Sequence, residues 1–248
     1  MKHFWISIFA MFLAVSLAAE KYSGEFLYVG VGVRNAALGN ALLFADEDAS
    51  MAFWNPAAMN AGSKNVLAQH SENFDGLQQY DVGVYIQNMN DQMLGLMLSR
   101  LAVPNVKYSI LEDPSQELSY LNRPQLKSNN TLADYVFHGA YGAKLNHRLR
   151  WGAAVKLVYR DWEEYSAYGF GFDVAVSQEL NSNCQASLVL RDAVSTVLVW
   201  DSGEKETITP SLDMGVSYRF SRLILLPNEM RLHARVRSTF EGRQETAQ

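Results

Sequence analysis

The stretch Ala133–Asn146, ADYVFHGAYGAKLN, decides the fold. Read two residues at a time, it separates into two faces. Ala133, Tyr135, Phe137, Gly139, Tyr141, Ala143 and Leu145 fall on one. Asp134, Val136, His138, Ala140, Gly142, Lys144 and Asn146 fall on the other. A period of two is the mark of a β-strand with unlike sides. The next runs repeat it. Trp151–Arg160 sets Trp151, Ala153, Val155, Leu157 and Tyr159 against Gly152, Ala154, Lys156, Val158 and Arg160. Tyr168–Ser177 sets Tyr168, Phe170, Phe172, Val174 and Val176 against Gly169, Gly171, Asp173, Ala175 and Ser177. Shorter runs lie at Ser187–Arg191 and Asp213–Phe220. Earlier ones lie at Val66–His70, Tyr80–Gln87 and Met93–Leu101. Together they predict about nine or ten antiparallel strands.

Such alternation fits two architectures. One is a secreted β-sandwich, the other a transmembrane β-barrel. Strand length favours the barrel. The longest runs exceed the ~5–6 residues of an ordinary strand and reach the ~9–11 that a membrane strand needs. Trp151, Tyr159, Trp162, Tyr165, Trp200 and Tyr218 sit near strand ends, where an aromatic girdle would meet lipid headgroups. The turn around Asn146-His147-Arg148 is predicted short and the one at Asp161–Ser166 longer. Val103–Thr131, with three prolines and many polar residues, is predicted as a long extracellular loop with a short helix near Ser115–Leu121.

The N-terminus reads as a secretory signal peptide over residues 1–18. Lys2 and His3 precede the apolar run Phe4–Leu17, and small residues at Ser16 and Ala18 allow cleavage after Ala18, with Ala19 as the alternative. An uncleaved N-terminal anchor is the other reading. The chain has 248 residues, 48% of them hydrophobic, and a net charge of −5. No basic cluster suggests nucleic acid. A lone cysteine, Cys184, excludes an internal disulfide and a cysteine metal site. Five histidines at 3, 70, 138, 147 and 233 show no ligand spacing. His138, on the polar face, is expected to line the interior. No hydrolase elbow or zinc-protease motif is present, and Gly30-Val31-Gly32 continues to Asn35 rather than glycine. No enzyme activity, metal or cofactor is therefore expected. Asp46-Glu47-Asp48 could offer a cation site, but Asp48 is better placed as the N-cap of a helix over Ala49–Trp54.

The segment GVGVRNAALGNALLFADEDASMAFWNPAAM, Gly30–Met59, resembles the N-terminal signature of the FadL-like outer-membrane barrels, most closely the PorV/PorQ branch. The pattern is matched by Gly32, Arg34, Gly39, Ala41, Asp46, Asp48, Ala52, Asn55, Pro56 and Ala57; Ala58 stands where the family has glycine. The strands of Leu132–Glu179 and Asp192–Phe220 are similar to the same family. The resemblance implies an all-β transmembrane barrel in the bacterial outer membrane, with residues 19–62 folded in as a plug and residues 63–248 supplying wall strands. It implies a channel or transporter for hydrophobic small molecules, with outer-membrane lipid around it. Alternatively it implies an accessory barrel of type IX secretion that receives secreted cargo proteins. Arg34 is expected to pair with Asp46, Asp48 or the wall residue Asp173. The family barrel has fourteen strands and ends on an aromatic residue; this chain ends polar after Phe240, so the barrel is expected to be partial, its last strands truncated.

Overall fold

A computed structural model describes residues 24–44, 48–59, 66–220 and 230–240. The predicted signal peptide and Asp46 lie outside them. The described chain is an antiparallel β-sheet preceded by short helical turns. These turns are a 3-10 turn at Glu25–Tyr28, α1 at Val33–Ala37, α2 at Met51–Trp54 and a second 3-10 turn at Pro56–Ala58.

Eleven strands follow: β1 Val66–Asn73, β2 Gln78–Met89, β3 Gln92–Leu111, β4 Pro124–Lys144, β5 Leu149–Trp162, β6 Tyr165–Glu179, β7 Cys184–Arg191, β8 Thr196–Trp200, β9 Lys205–Ile208, β10 Ser211–Phe220 and β11 Met230–Thr239. Neighbours in sequence pair from β1 to β7, then β10 and β11 continue the sheet. Among the described residues β1 and β11 remain its two edges, so the sheet is not closed.

One strand serves two partners. The end of β6 near Glu179 pairs with β7, and the end near Tyr168 pairs with β8, which pairs in turn with β9. Asp192–Ser195 makes the step between β7 and β8. Ala193 N–H donates to Phe172 O at 2.7 Å, so that carbonyl keeps a partner across the step.

Three expectations need correction. Val103–Thr131 is not a loop. β3 and β4 continue through it as a paired hairpin, and only residues 112–123 turn the corner. Pro104 is accommodated because the register slips between Val103 and Val106, a bulge where its missing N–H costs no ladder bond. No helix forms near Ser115–Leu121. Asn122 instead closes a compact turn. Its side chain donates to the carbonyls of Asp113, Gln116 and Glu117 and accepts from Asp113 N–H. Lastly, the turn within Asp161–Ser166 is the tighter one: only Glu163 and Glu164 separate β5 from β6, whereas residues 145–148 separate β4 from β5.

The N-terminal segment packs against one face of the sheet and reaches nearly every strand. Gly32 N–H donates to Gln69 Oε1 of β1, Asn55 to Ser177 of β6, and Asn40 O accepts from Arg235 of β11. About 4.8 Å separates neighbouring strands, so a flat sheet with eight gaps from β1 to β11 would hold these two edges ~38 Å apart. A short segment touching both edges and the middle requires the sheet to curl around it.

The inner face, toward the segment, is mixed, with Val82, Val84, Ile86, Met97, Val136 and Val158 in a buried apolar core beside enclosed charges; it is the exposed outer face that departs from the rule for a water-soluble protein. The face toward the segment buries Asp134, His138, Lys156, Asp173, Arg191 and Asp213. The opposite face exposes Leu96, Phe137, Leu157, Phe170, Leu188, Val216 and Val236.

Candidate functional site

The inner face and the segment it holds form the candidate site. Two asparagines give the segment its shape. Asn35, fully buried, donates to Leu42 O and accepts from Leu42 N–H, closing a loop after α1. Asn55 caps the 3-10 turn by accepting from Ala57 N–H at 3.0 Å, and it donates to Leu43 O. Trp54 Nε1 donates to Val31 O at 2.6 Å. The core of the segment, Leu43, Phe44, Met51, Ala52, Pro56, Ala57 and Met59, is almost wholly buried.

Glycines let it approach the wall. A Cβ on Gly142 would overlap the Pro56 carbonyl oxygen, and one on Gly152 would overlap Ala57 N and Pro56 C. A Cβ on Gly95 would lie 2.7 Å from Ala52 Cβ. These wall positions need to be side-chain-free for Asn55-Pro56-Ala57 to seat.

Charges then fasten it. Asp213, 0% exposed, takes three guanidiniums: Arg191 Nε at 2.8 Å, Arg235 Nη2 at 2.8 Å and Arg237 Nε at 2.8 Å. Arg191 also donates to Phe53 O and to Trp54 O at 2.8 Å. Arg235 stacks over the Trp54 ring at 5.1 Å and Arg237 over Tyr28 at 4.6 Å. Burial pushes the Tyr28 phenol above its ordinary pKa.

Beside this lies a second group. Asp173 meets Lys156 Nζ at 2.8 Å, with His138 Nε2 at 3.6 Å and Arg191 Nη1 at 4.0 Å. It also accepts from Asp192 N–H at 2.8 Å. Lys156 bridges onward to Asp192, which also accepts from the Thr196 hydroxyl. His138, 1% exposed, is too far from Asp173 for a hydrogen bond and meets the Phe53 ring edge-on, with centroids 6.2 Å apart. A third pair, Arg160 and Asp134 at 2.8 Å, is covered by Trp162 and Phe26.

Of the residues singled out by sequence, Asn55, Pro56, Ala57 and Asp173 meet on this face. Arg34 is exposed on α1. Asp173 is enclosed, and its ion partners are Lys156, Arg191 and His138 rather than a residue of the segment. Asp48 accepts from Ser50 N–H at 2.8 Å, a turn one step before α2, so Ser50 rather than Asp48 is the N-cap residue and the helix begins at Met51. Asp46 lies outside the described residues. Lys156, Arg191, Asp192, Asp213, Arg235 and Arg237 were not singled out. The signal was available for five of them: Lys156, Arg191, Asp213, Arg235 and Arg237 are charges on strands whose alternate residues are largely apolar, whereas Asp192 lies in the step after β7.

No family model, curated protein or solved structure matches this chain. The arrangement must be read from its own chemistry. The buried charges of the inner face are largely spent on one another and on the backbone of Phe53, Trp54 and Met59. They hold a folded segment against a wall.

Proposed function

We propose that the chain is the wall of a FadL-like outer-membrane β-barrel, with the N-terminal segment as its plug, and that it passes hydrophobic small molecules. One observation carries this reading: the outer face is apolar and exposed while ion-paired charges are enclosed on the inner one. A curled sheet that encloses paired charges and exposes Leu, Val and Phe is suited to lipid outside and a polar lumen inside.

Aromatic residues bracket the apolar band. Tyr141 and Trp151 pack at one end, with ring centroids 5.5 Å apart. Tyr135, Tyr159 and Tyr168 stack at the other, at 6.1 and 5.0 Å. Trp151 and Tyr159 lie on one strand, so at ~3.3 Å per residue they are ~26 Å apart, or ~20 Å in height if the strand tilts ~40°. That is close to the ~25 Å band of known outer-membrane barrels. The direct test is fractionation with the outer membrane and heat-modifiable gel mobility. Uptake of labelled long-chain fatty acid into liposomes then tests transport. A product that is soluble after secretion removes the membrane reading, and a membrane-embedded product that takes up no fatty acid removes the transport reading.

A second reading, an accessory barrel of type IX secretion, is favoured by the β3–β4 hairpin. It projects past the Tyr135 end of the band and exposes Leu118, Tyr120 and Leu121 on a turn fixed by Asn122. Such a tip suits protein contact. Co-purification with secreted cargo, lost in a Leu118→Ser/Tyr120→Ser/Leu121→Ser variant, would separate this from small-molecule passage.

A further inference from the structure

The two edges of the sheet point the same way. Every pairing along the path from β1 through β7 to β10 and β11 is antiparallel. Nine strands lie on that path, so β1 and β11, the first and last of an odd count, run in one direction. Joined to each other they would form a parallel pair, unlike every other pair in the sheet. Antiparallel closure takes an odd number of further strands between them.

Two observations place such strands there. A closed cylinder of nine would be too narrow: a barrel of about eight strands is already filled by its own wall side chains, whereas this wall also encloses a folded segment. The segment itself marks where wall is missing. α1 lies between a hydrogen bond to each edge, one from Gly32 N–H to Gln69 of β1 and one from Arg235 of β11 to Asn40 O. Apart from Glu25, the described residues of the segment that are exposed all fall between these two bonds, at Val33, Arg34 and 36–39. Val33 is 76% exposed and Leu38 42%.

We infer that this window is a docking site for β-strands of a second kind of polypeptide, odd in number, the outermost running antiparallel to β1 and β11. The inference rests on the membrane reading, in which an open edge leaves backbone N–H and C=O groups facing lipid. The edges specify what fits. Val66 of β1 and Leu232 and Val236 of β11 are exposed on the outer face, so the incoming strands carry apolar residues outward. On the inner face of β11, Arg235 and Arg237 share the single carboxylate of Asp213 with Arg191, so the strand beside them carries acidic residues inward. Residues 241–248, EGRQETAQ, offer no apolar alternate row in sequence. A second copy inserted in the same sense presents edges of the same direction again, and so supplies no antiparallel strand.

The test puts the photo-reactive residue p-benzoylphenylalanine in place of Val66, His70, Leu232 or Val236 of the full chain, one site at a time, in the envelope of the cell that makes it. Leu157, mid-wall, is the control site. Irradiation should give adducts with one and the same partner from both edges and lose them at Leu157. Peptide mapping should show reversed order: His70 joins the partner nearer its N-terminus than Val66 does, and Val236 nearer than Leu232. With two sites on each edge, a substitution that prevents insertion still leaves the other edge readable. Adducts without that order overturn the docking site. So does an adduct joining β1 to β11, two copies of the chain, or an edge to residues 241–248. A membrane-embedded chain that gives no adduct at either edge overturns the inference and leaves the membrane reading standing. A soluble chain that gives none overturns both.

Discussion

Arg191 donates from Nη2 to the carbonyl oxygen of Trp54 at 2.8 Å, joining β7 to the last residue of α2. The same guanidinium gives its Nε to Asp213 at 2.8 Å. One side chain thus spans the wall, the segment and the central carboxylate. Asp213 is the more critical partner. Changing it to Asn leaves Arg235 and Arg237 without their carboxylate and Arg191 with only the more distant Asp173, at 4.0 Å. Asp213→Asn should cost about 3–5 kcal/mol, the range for breaking a buried ion pair. Arg191→Gln, which leaves Asp213 two guanidiniums, should cost less. Urea unfolding followed by tryptophan fluorescence would rank the two; the reverse ranking would refute this account of the cluster.

Gly152 is the second test of the seat. Its position admits no Cβ because Pro56 and Ala57 lie against it. Gly152→Ala should destabilise by about 1–3 kcal/mol, as overpacking does elsewhere, and Gly152→Val by more. Gly83 has open space where its Cβ would stand, so Gly83→Ala serves as the control and should fold normally. The readout is protease cleavage within the N-terminal segment, faster in the Gly152 variants only.

The apolar band gives a sharp contrast between solvents. Leu157 is 51% exposed, with Phe137 and Phe170 as register partners on the adjoining strands. If water bathes this face, Leu157→Arg should be nearly neutral, within about 0.5 kcal/mol. If lipid does, the same change should cost about 2–4 kcal/mol. Folding yield into vesicles for Leu157→Arg against Leu157→Met decides between them.

The projecting turn is held in part by hydrogen bonds to the Asp113 carboxylate, so acid should loosen it. Hydrogen bonds from the Ser115 hydroxyl, the Ser115 N–H and the Gln116 amide hold the Asp113 carboxyl below its usual pKa. A carboxyl with a lowered folded pKa contributes order above its unfolded pKa and loses it as pH falls through the folded value. Protection of the Ser115 and Gln116 amides, corrected for intrinsic exchange, should decline on acidification. Asp113→Asn should weaken that dependence.

Much of the sheet was legible because its two sides differ so strongly. Val82, Val84 and Ile86, or Tyr135 and Phe137 against Asp134 and His138, declare a period of two whichever solvent they face. The elements that escaped lack that contrast. β11 carries His233, Arg235 and Arg237 on alternate positions, and these charges hide the Leu232, Ala234 and Val236 row between them. β8 and β9 are short and broken by the turn at Asp201–Glu204. The outer half of the β3–β4 hairpin is largely exposed, so its composition looks like a loop although its backbone is paired apart from two register slips. The position of Asn55-Pro56-Ala57 within the fold was visible as a motif; the arginine clamp on it was not. Arg191, Asp213 and Arg235 are brought together by register, which no local pattern encodes.

The exposed apolar face bears on how the molecule reaches its native state. In plain water a collapsing chain would also gather inward the outer row of Leu157, Phe170 and Val216, which this sheet leaves exposed, and would leave Lys156 and Arg191 stranded outside their pairings. On the membrane reading, the surrounding medium acts during assembly, not merely afterward. Dilution from denaturant into buffer should give aggregates that later addition of vesicles cannot recover, whereas dilution directly onto vesicles should succeed.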